Sequence, residues 1–219
     1  MATLTDAYRS TWLHPRLTVA RLCDEPGKLP LRTLAVAGGV AVWGSTAYAA
    51  AQQQGRTGAA AAALALAGIL VSALADLYAY PWLLRLVGGA LGGTGDIHRL
   101  RVAVVWSKVV PITGFIICLP TLFFSALANQ QGLPPSLADT LIFLSAPLSI
   151  AKVVIGLWGC CTVVFAVAEA HRFSALRSSV AVILASILIS LAGLLIGVVC
   201  VLGLAFVPAL ALLAVSATR

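Results

Sequence analysis

Long apolar runs separated by short polar hinges set the pattern of this chain. The first run extends from Thr33 to Ala51 and stops at Gln52-Gln53-Gln54-Gly55-Arg56-Thr57-Gly58. The second, Ala59 to Tyr80, is rich in Ala and Leu and meets Pro81. Trp82 to Val87 then leads into a loop with Gly88, Gly89, Gly92, Gly93 and Gly95. The third run, Val102 to Ala128, contains Pro111 and Pro120. A neutral loop, Asn129 to Pro135, separates it from the fourth, Leu141 to Ala168, which contains Pro147. Runs of about 20 apolar residues match the thickness of a bilayer. Prolines are tolerated inside such spans when neighbouring helices satisfy the freed carbonyls.

The last run, Ser178 to Thr218, has no charge. As one helix its 41 residues would reach about 60 Å, twice the hydrocarbon thickness. Gly203 and Pro208 are the candidate break points. The pattern predicts a fifth span ending near Val201 and then a bent or shallow segment, with six spans as the alternative. Residues 1–32 have mixed polarity. Pro15 suits the first position of a short helix. Trp12, Leu13, Leu17 and Ala20 alternate with Arg16 and Arg21, as in a helix lying in the membrane interface or in a loosely packed arm. The fold expected is all-α: a polytopic membrane helix bundle of about five spans (33–219) behind an N-terminal arm (1–32).

Composition narrows the function classes. Apolar residues make up 61% of the chain and charged ones 10%, with mean hydropathy +1.03. Soluble domains carry about 25% charged residues, so a soluble enzyme or nucleic-acid-binding domain is excluded. The five cysteines form no CxxC pair, and four of them sit in apolar runs as small hydrophobes. No apolar h-region occupies the first 30 residues, so no cleavable signal peptide is expected. The net charge of +7 matters through its distribution. Ten basic residues lie in the arm and in the hinges after spans two and four, against Arg56 and Arg219 on the other side. The positive-inside rule then puts the N-terminus and both hinges in the cytosol. Arg16, Arg21, Arg85, Arg99, Arg101, Arg172 and Arg177 are the expected contacts to lipid headgroups.

Ionisable residues inside spans mark function or structural pairing. Asp76 and Lys108 fall at matching depths, so an ion pair is expected between them, with a proton or ion site as the alternative. Lys152, mid-way along span four, has no evident partner and would face a cavity or snorkel. Both hinges also carry an acid-x-His-Arg element: Asp96-Ile97-His98-Arg99 and Glu169-Ala170-His171-Arg172. Either these are solvated helix boundaries, or Asp96, His98, Glu169 and His171 together hold a divalent metal. No other cofactor is implied. The glycine run lacks the GK[ST] ending and the preceding strand of a phosphate-binding loop. GxSxG, HExxH and Asp-rich phosphate motifs are absent.

Three stretches together resemble the bacterial branch of the Yip (Ypt-interacting protein) domain family. They are Trp12-Leu13-His14-Pro15-Arg16-Leu17-Thr18; Leu83 to Gly95 with Arg99, Arg101 and Ser107-Lys108-Val109-Val110-Pro111; and Ile155-Gly156-Leu157-Trp158 with Ala168-Glu169-Ala170-His171-Arg172-Phe173-Ser174 and Arg177. The chain departs from the family in having Trp106 where Tyr is usual and only Asp76-Leu77-Tyr78 of the eukaryotic Asp-Leu-Tyr-Gly-Pro element. The resemblance implies five spans, a cytosolic N-terminus and no established enzymatic activity. The expected function is a non-enzymatic organiser of the membrane or of partner proteins. Its expected partners are lipids and either a second copy, through faces such as Gly193-x-x-x-Gly197, or another membrane protein. The alternatives are a small-solute or ion transporter built on Asp76, Lys108 and Lys152, and a metal-binding regulator.

Overall fold

A computed structural model describes residues 4–24, 30–52, 56–128 and 134–217. Nine α-helices follow one another in these residues. They are α1 (Leu4–Leu13), α2 (Pro15–Asp24), α3 (Leu31–Gln52), α4 (Arg56–Leu74), α5 (Tyr80–Ala90), α6 (Ile97–Ser107), α7 (Val109–Ala128), α8 (Pro135–His171) and α9 (Ala175–Ala217). One π-helical turn, Ala75–Ala79, joins α4 to α5. Four segments are long and apolar enough to cross a membrane: Gly58–Ala90, Ile97–Ala128, Pro135–His171 and Ala175–Val199. With the 22-residue α3, packed along α4, they make five long helical segments.

Local chemistry explains where these helices bend and stop. Pro81 has no N–H, and its ring crowds the carbonyl four residues earlier. The chain answers by widening rather than breaking: the Tyr80 N–H bonds Ala75 O, five residues back. The second apolar segment therefore runs through Pro81, where the sequence pattern put an interruption. Pro111 makes the same demand on Ser107, and there the helix does break, at Lys108, whose N–H turns to Val105 O at 3.2 Å. The last apolar run is one 43-residue helix, about 65 Å long, with its backbone helical through Gly203 and Pro208. The break and shallow tail expected there do not occur, because neither residue interrupts the helix.

The core lies around α6. Leu100 and every residue from Val102 to Ser107 are buried, which is the mark of a helix enclosed on all sides. One apolar cluster joins Ala7 of α1 and Val19 of α2 to Leu84, Leu100, Val104, Val167 and Ala185 of α5, α6, α8 and α9. The N-terminal arm is thus docked, neither loose nor merely interfacial. Trp106 Nε1 donates to Thr11 Oγ1 at 2.9 Å, and the hydroxyls of Tyr8 and Thr113 are 3.2 Å apart. Leu13 and Leu17 remain exposed on its outer side.

Candidate functional site

Two polar constructions stand out, and both are made by helix irregularities. The first is the ion pair. Asp76 sits in the π turn and Lys108 at the α6–α7 break, with Nζ and Oδ1 2.9 Å apart and both side chains largely shielded. The π turn also carries Tyr78, whose ring lies 5.1 Å beneath the Arg101 guanidinium. The Lys108 stem passes over Gly38 of α3, where an added Cβ would come within 3.0 Å of Lys108 Cβ and Cγ. Three helical segments therefore meet at one charged contact, and Gly38 leaves room for it.

The second construction is the seam between the two hinges. α5 ends at Leu91 with Gly92 in the left-handed region (φ +83°); Gly93 N–H bonds Gly88 O at 2.8 Å and Gly92 N–H bonds Gly89 O. α8 ends in the same way, with Arg172 left-handed (φ 58°), Phe173 N–H on Ala168 O at 2.7 Å and Arg172 N–H on Glu169 O. Both are Schellman ends, one with the expected glycine and one with an arginine. The second end delivers His171 into the first hinge. His171 is buried; its Nδ1 accepts from Gly95 N–H at 3.1 Å, and its Nε2–H donates to Leu84 O at 3.1 Å. Accepting at Nδ1 fixes the neutral tautomer. Phe173 stacks on the ring at 5.0 Å. A Cβ on Gly88, Gly93 or Gly95 would lie under 3.0 Å from the ring. The glycine run is thus a cradle for an imidazole.

That geometry settles what the two acid-x-His-Arg elements do. They occupy opposite positions: Asp96 starts α6, accepting from His98 N–H at 3.0 Å, whereas Glu169 lies in the last turn of α8. His98 is exposed, and both His171 nitrogens are engaged with backbone. The structure does not gather Asp96, His98, Glu169 and His171 into a ligand set. Among the described residues, no group of three or more His, Cys, Asp or Glu is placed to hold a metal ion.

The seven arginines divide. Arg16 lies over the Phe165 ring at 5.7 Å, Arg99 pairs with Asp24 at 3.5 Å, and Arg101 lies over Tyr78, so these three brace the protein. Arg21, Arg85, Arg172 and Arg177 are exposed. Lys152 lines a cavity of about 160 Å³ between α3, α7 and α8, bounded by Pro111 and not by Pro147. Tyr80, not singled out in the sequence, reaches α9, its hydroxyl 2.9 Å from Ser186 Oγ. Only the general rule that buried tyrosines keep a polar partner hinted at this. The Trp106–Thr11 bond had no signal at all, since 95 residues separate its partners.

An all-α bundle whose long helices are apolar enough to cross a membrane defines a multi-pass membrane protein. The family model of the Yip1 domain matches residues 9–197, and the chain belongs to that family. No curated protein matches the chain, and neither does any solved structure.

Proposed function

We propose that this chain is a non-enzymatic organiser of the bacterial cytoplasmic membrane, or of partner proteins within it, with its N-terminus and both hinges cytosolic. The observation that carries the reading is the hinge end itself. A seam held by His171 presents Arg85, Arg172 and Arg177, and the docked arm presents Arg21, all exposed. Polybasic groups at a membrane surface each attract anionic lipid by about 1 kcal/mol. Gly193 and Gly197 of α9 support self-association: a Cβ at either would meet nothing within 4 Å, so among the described residues this small-residue face is unused. No nucleic-acid partner is part of this reading.

The test is lipid and partner recovery from native membranes. The chain is expected to retain phosphatidylglycerol over phosphatidylethanolamine when extracted, and to cross-link to itself or to another membrane protein. Replacing Arg21, Arg85, Arg172 and Arg177 with Gln together should remove the lipid preference. Retention of that preference by the quadruple variant, or failure to cross-link any protein, contradicts the proposal.

A further inference from the structure

We propose that Lys152 forms a binding site for a small monovalent inorganic anion in the cavity between α3, α7 and α8. Position comes first. Lys152 is the only charge between Leu141 and Ala168, 11 residues from one end of that run and 16 from the other. That is about 17 and 24 Å along the axis. Lys152 is exposed, so the cavity it lines is open to the outside of the bundle; it lies inside the run rather than at its ends, where snorkelling gives most relief.

Among the described residues, none supplies the counter-charge. Of its seven acidic residues, Asp76 is taken by Lys108 at 2.9 Å, Asp24 lies against Arg99, and Asp96 caps α6. Asp139 and Glu169 are 13 and 17 residues away on the same helix, about 20 and 25 Å. Asp6 and Glu25 belong to the N-terminal arm. A second copy brings nothing new, because Asp76 is the only acid inside any apolar run. A charge in the bilayer without a partner is costly, so the partner is a mobile one.

The cavity fits such a partner. Its volume of about 160 Å³ has room for a small ion and several waters. Lys152 supplies three N–H donors, and Ser45 a hydroxyl. The Thr121 hydroxyl proton is spent on Cys118 O at 2.6 Å, so that residue adds no donor. One cation and one hydroxyl in an otherwise apolar wall match a single negative charge. Gly156 lines the cavity and is exposed, with open space where a Cβ would stand.

The experiment uses the full chain in nanodiscs of zwitterionic phosphatidylcholine, with radiolabelled chloride as the probe. Wild type and Arg32→Gln, which lies exposed at the start of α3 and outside the cavity, are expected to show one saturable site. Lys152→Met, which removes the cation, and Gly156→Leu, which adds a side chain at the cavity wall while keeping the cation, should each weaken binding at least tenfold, roughly 1.4 kcal/mol. Chloride should also raise the Tm of wild type relative to a gluconate buffer, and leave that of Lys152→Met unchanged. Absence of saturable chloride binding by wild type overturns the proposal, as does binding by Lys152→Met equal to wild type. If Lys152→Met does not elute as a folded species, Gly156→Leu decides by the same criterion.

Discussion

At the scale of single residues, the buried pairs at Asp76 and His171 are satisfied by specific partners, and each is therefore expensive to break. Asp76 and Lys108 neutralise one another at 2.9 Å in largely shielded positions. Removing one partner strands the other, a loss of about 3–5 kcal/mol for buried pairs. Asp76→Leu is thus expected to destabilise strongly, whereas Asp76→Leu with Lys108→Met should recover most of the loss. Denaturant titration of the reconstituted protein measures both, and a double variant as unstable as the single one contradicts the pairing argument. His171 belongs to the same class. His171→Phe keeps an aromatic ring in the cradle but leaves Gly95 N–H and Leu84 O without their side-chain partner. Leu84 O keeps its bond within α5, whereas the stranded Gly95 N–H costs about 1–3 kcal/mol, so the variant should unfold at lower denaturant with its helix content unchanged beforehand.

At the scale of elements, helix ends and irregularities carry the architecture, and here sequence and structure diverge in an instructive way. The apolar runs were legible because a bilayer demands about 20 apolar residues and tolerates few charges. The Asp76–Lys108 contact was legible because depth can be counted from the same hinge. The two similar four-residue strings lie at opposite ends of their helices, one as a start and one as a stop, and sequence spacing does not distinguish these places. The glycine cradle stayed hidden because its occupant, His171, comes 76 residues after Gly95. The response to proline was hidden too. Pro81 produces a π turn and Pro111 a break, and hydropathy does not distinguish them. One element retains a measurable defect: Arg172 holds the left-handed position that glycine fills at Gly92. A non-glycine residue there costs roughly 1–2 kcal/mol. Arg172→Gly should therefore raise stability by about 1 kcal/mol, read as a higher unfolding midpoint, while removing one exposed guanidinium from the hinge end.

At the scale of the molecule, the N-terminal arm and the bundle share one core, and Cys23 reports on whether they stay together. The arm is fixed by Trp106 on Thr11, by Tyr8 on Thr113, and by Val19 in the central cluster. Cys23 closes its far end, with Sγ 3.9 Å from Arg99 O. Burial pushes its thiol from 9.0 up to about 11. Only the thiolate reacts with maleimide, so two units upward lower the reactive fraction about 100-fold at pH 8. The raised value holds only while the arm is docked, so labelling follows the undocked population. In a chain whose other four cysteines are replaced by Ala, Cys23 should label about 100-fold more slowly than an exposed thiol. Trp106→Phe removes the donor to Thr11 while keeping an aromatic ring in the core. It should speed Cys23 labelling and trypsin cleavage after Arg16 and Arg21 together, since both require the same undocking. Faster cleavage with unchanged labelling would mean that the two ends of the arm move separately. Unchanged rates for both would mean that the apolar cluster holds the arm without the Trp106–Thr11 bond.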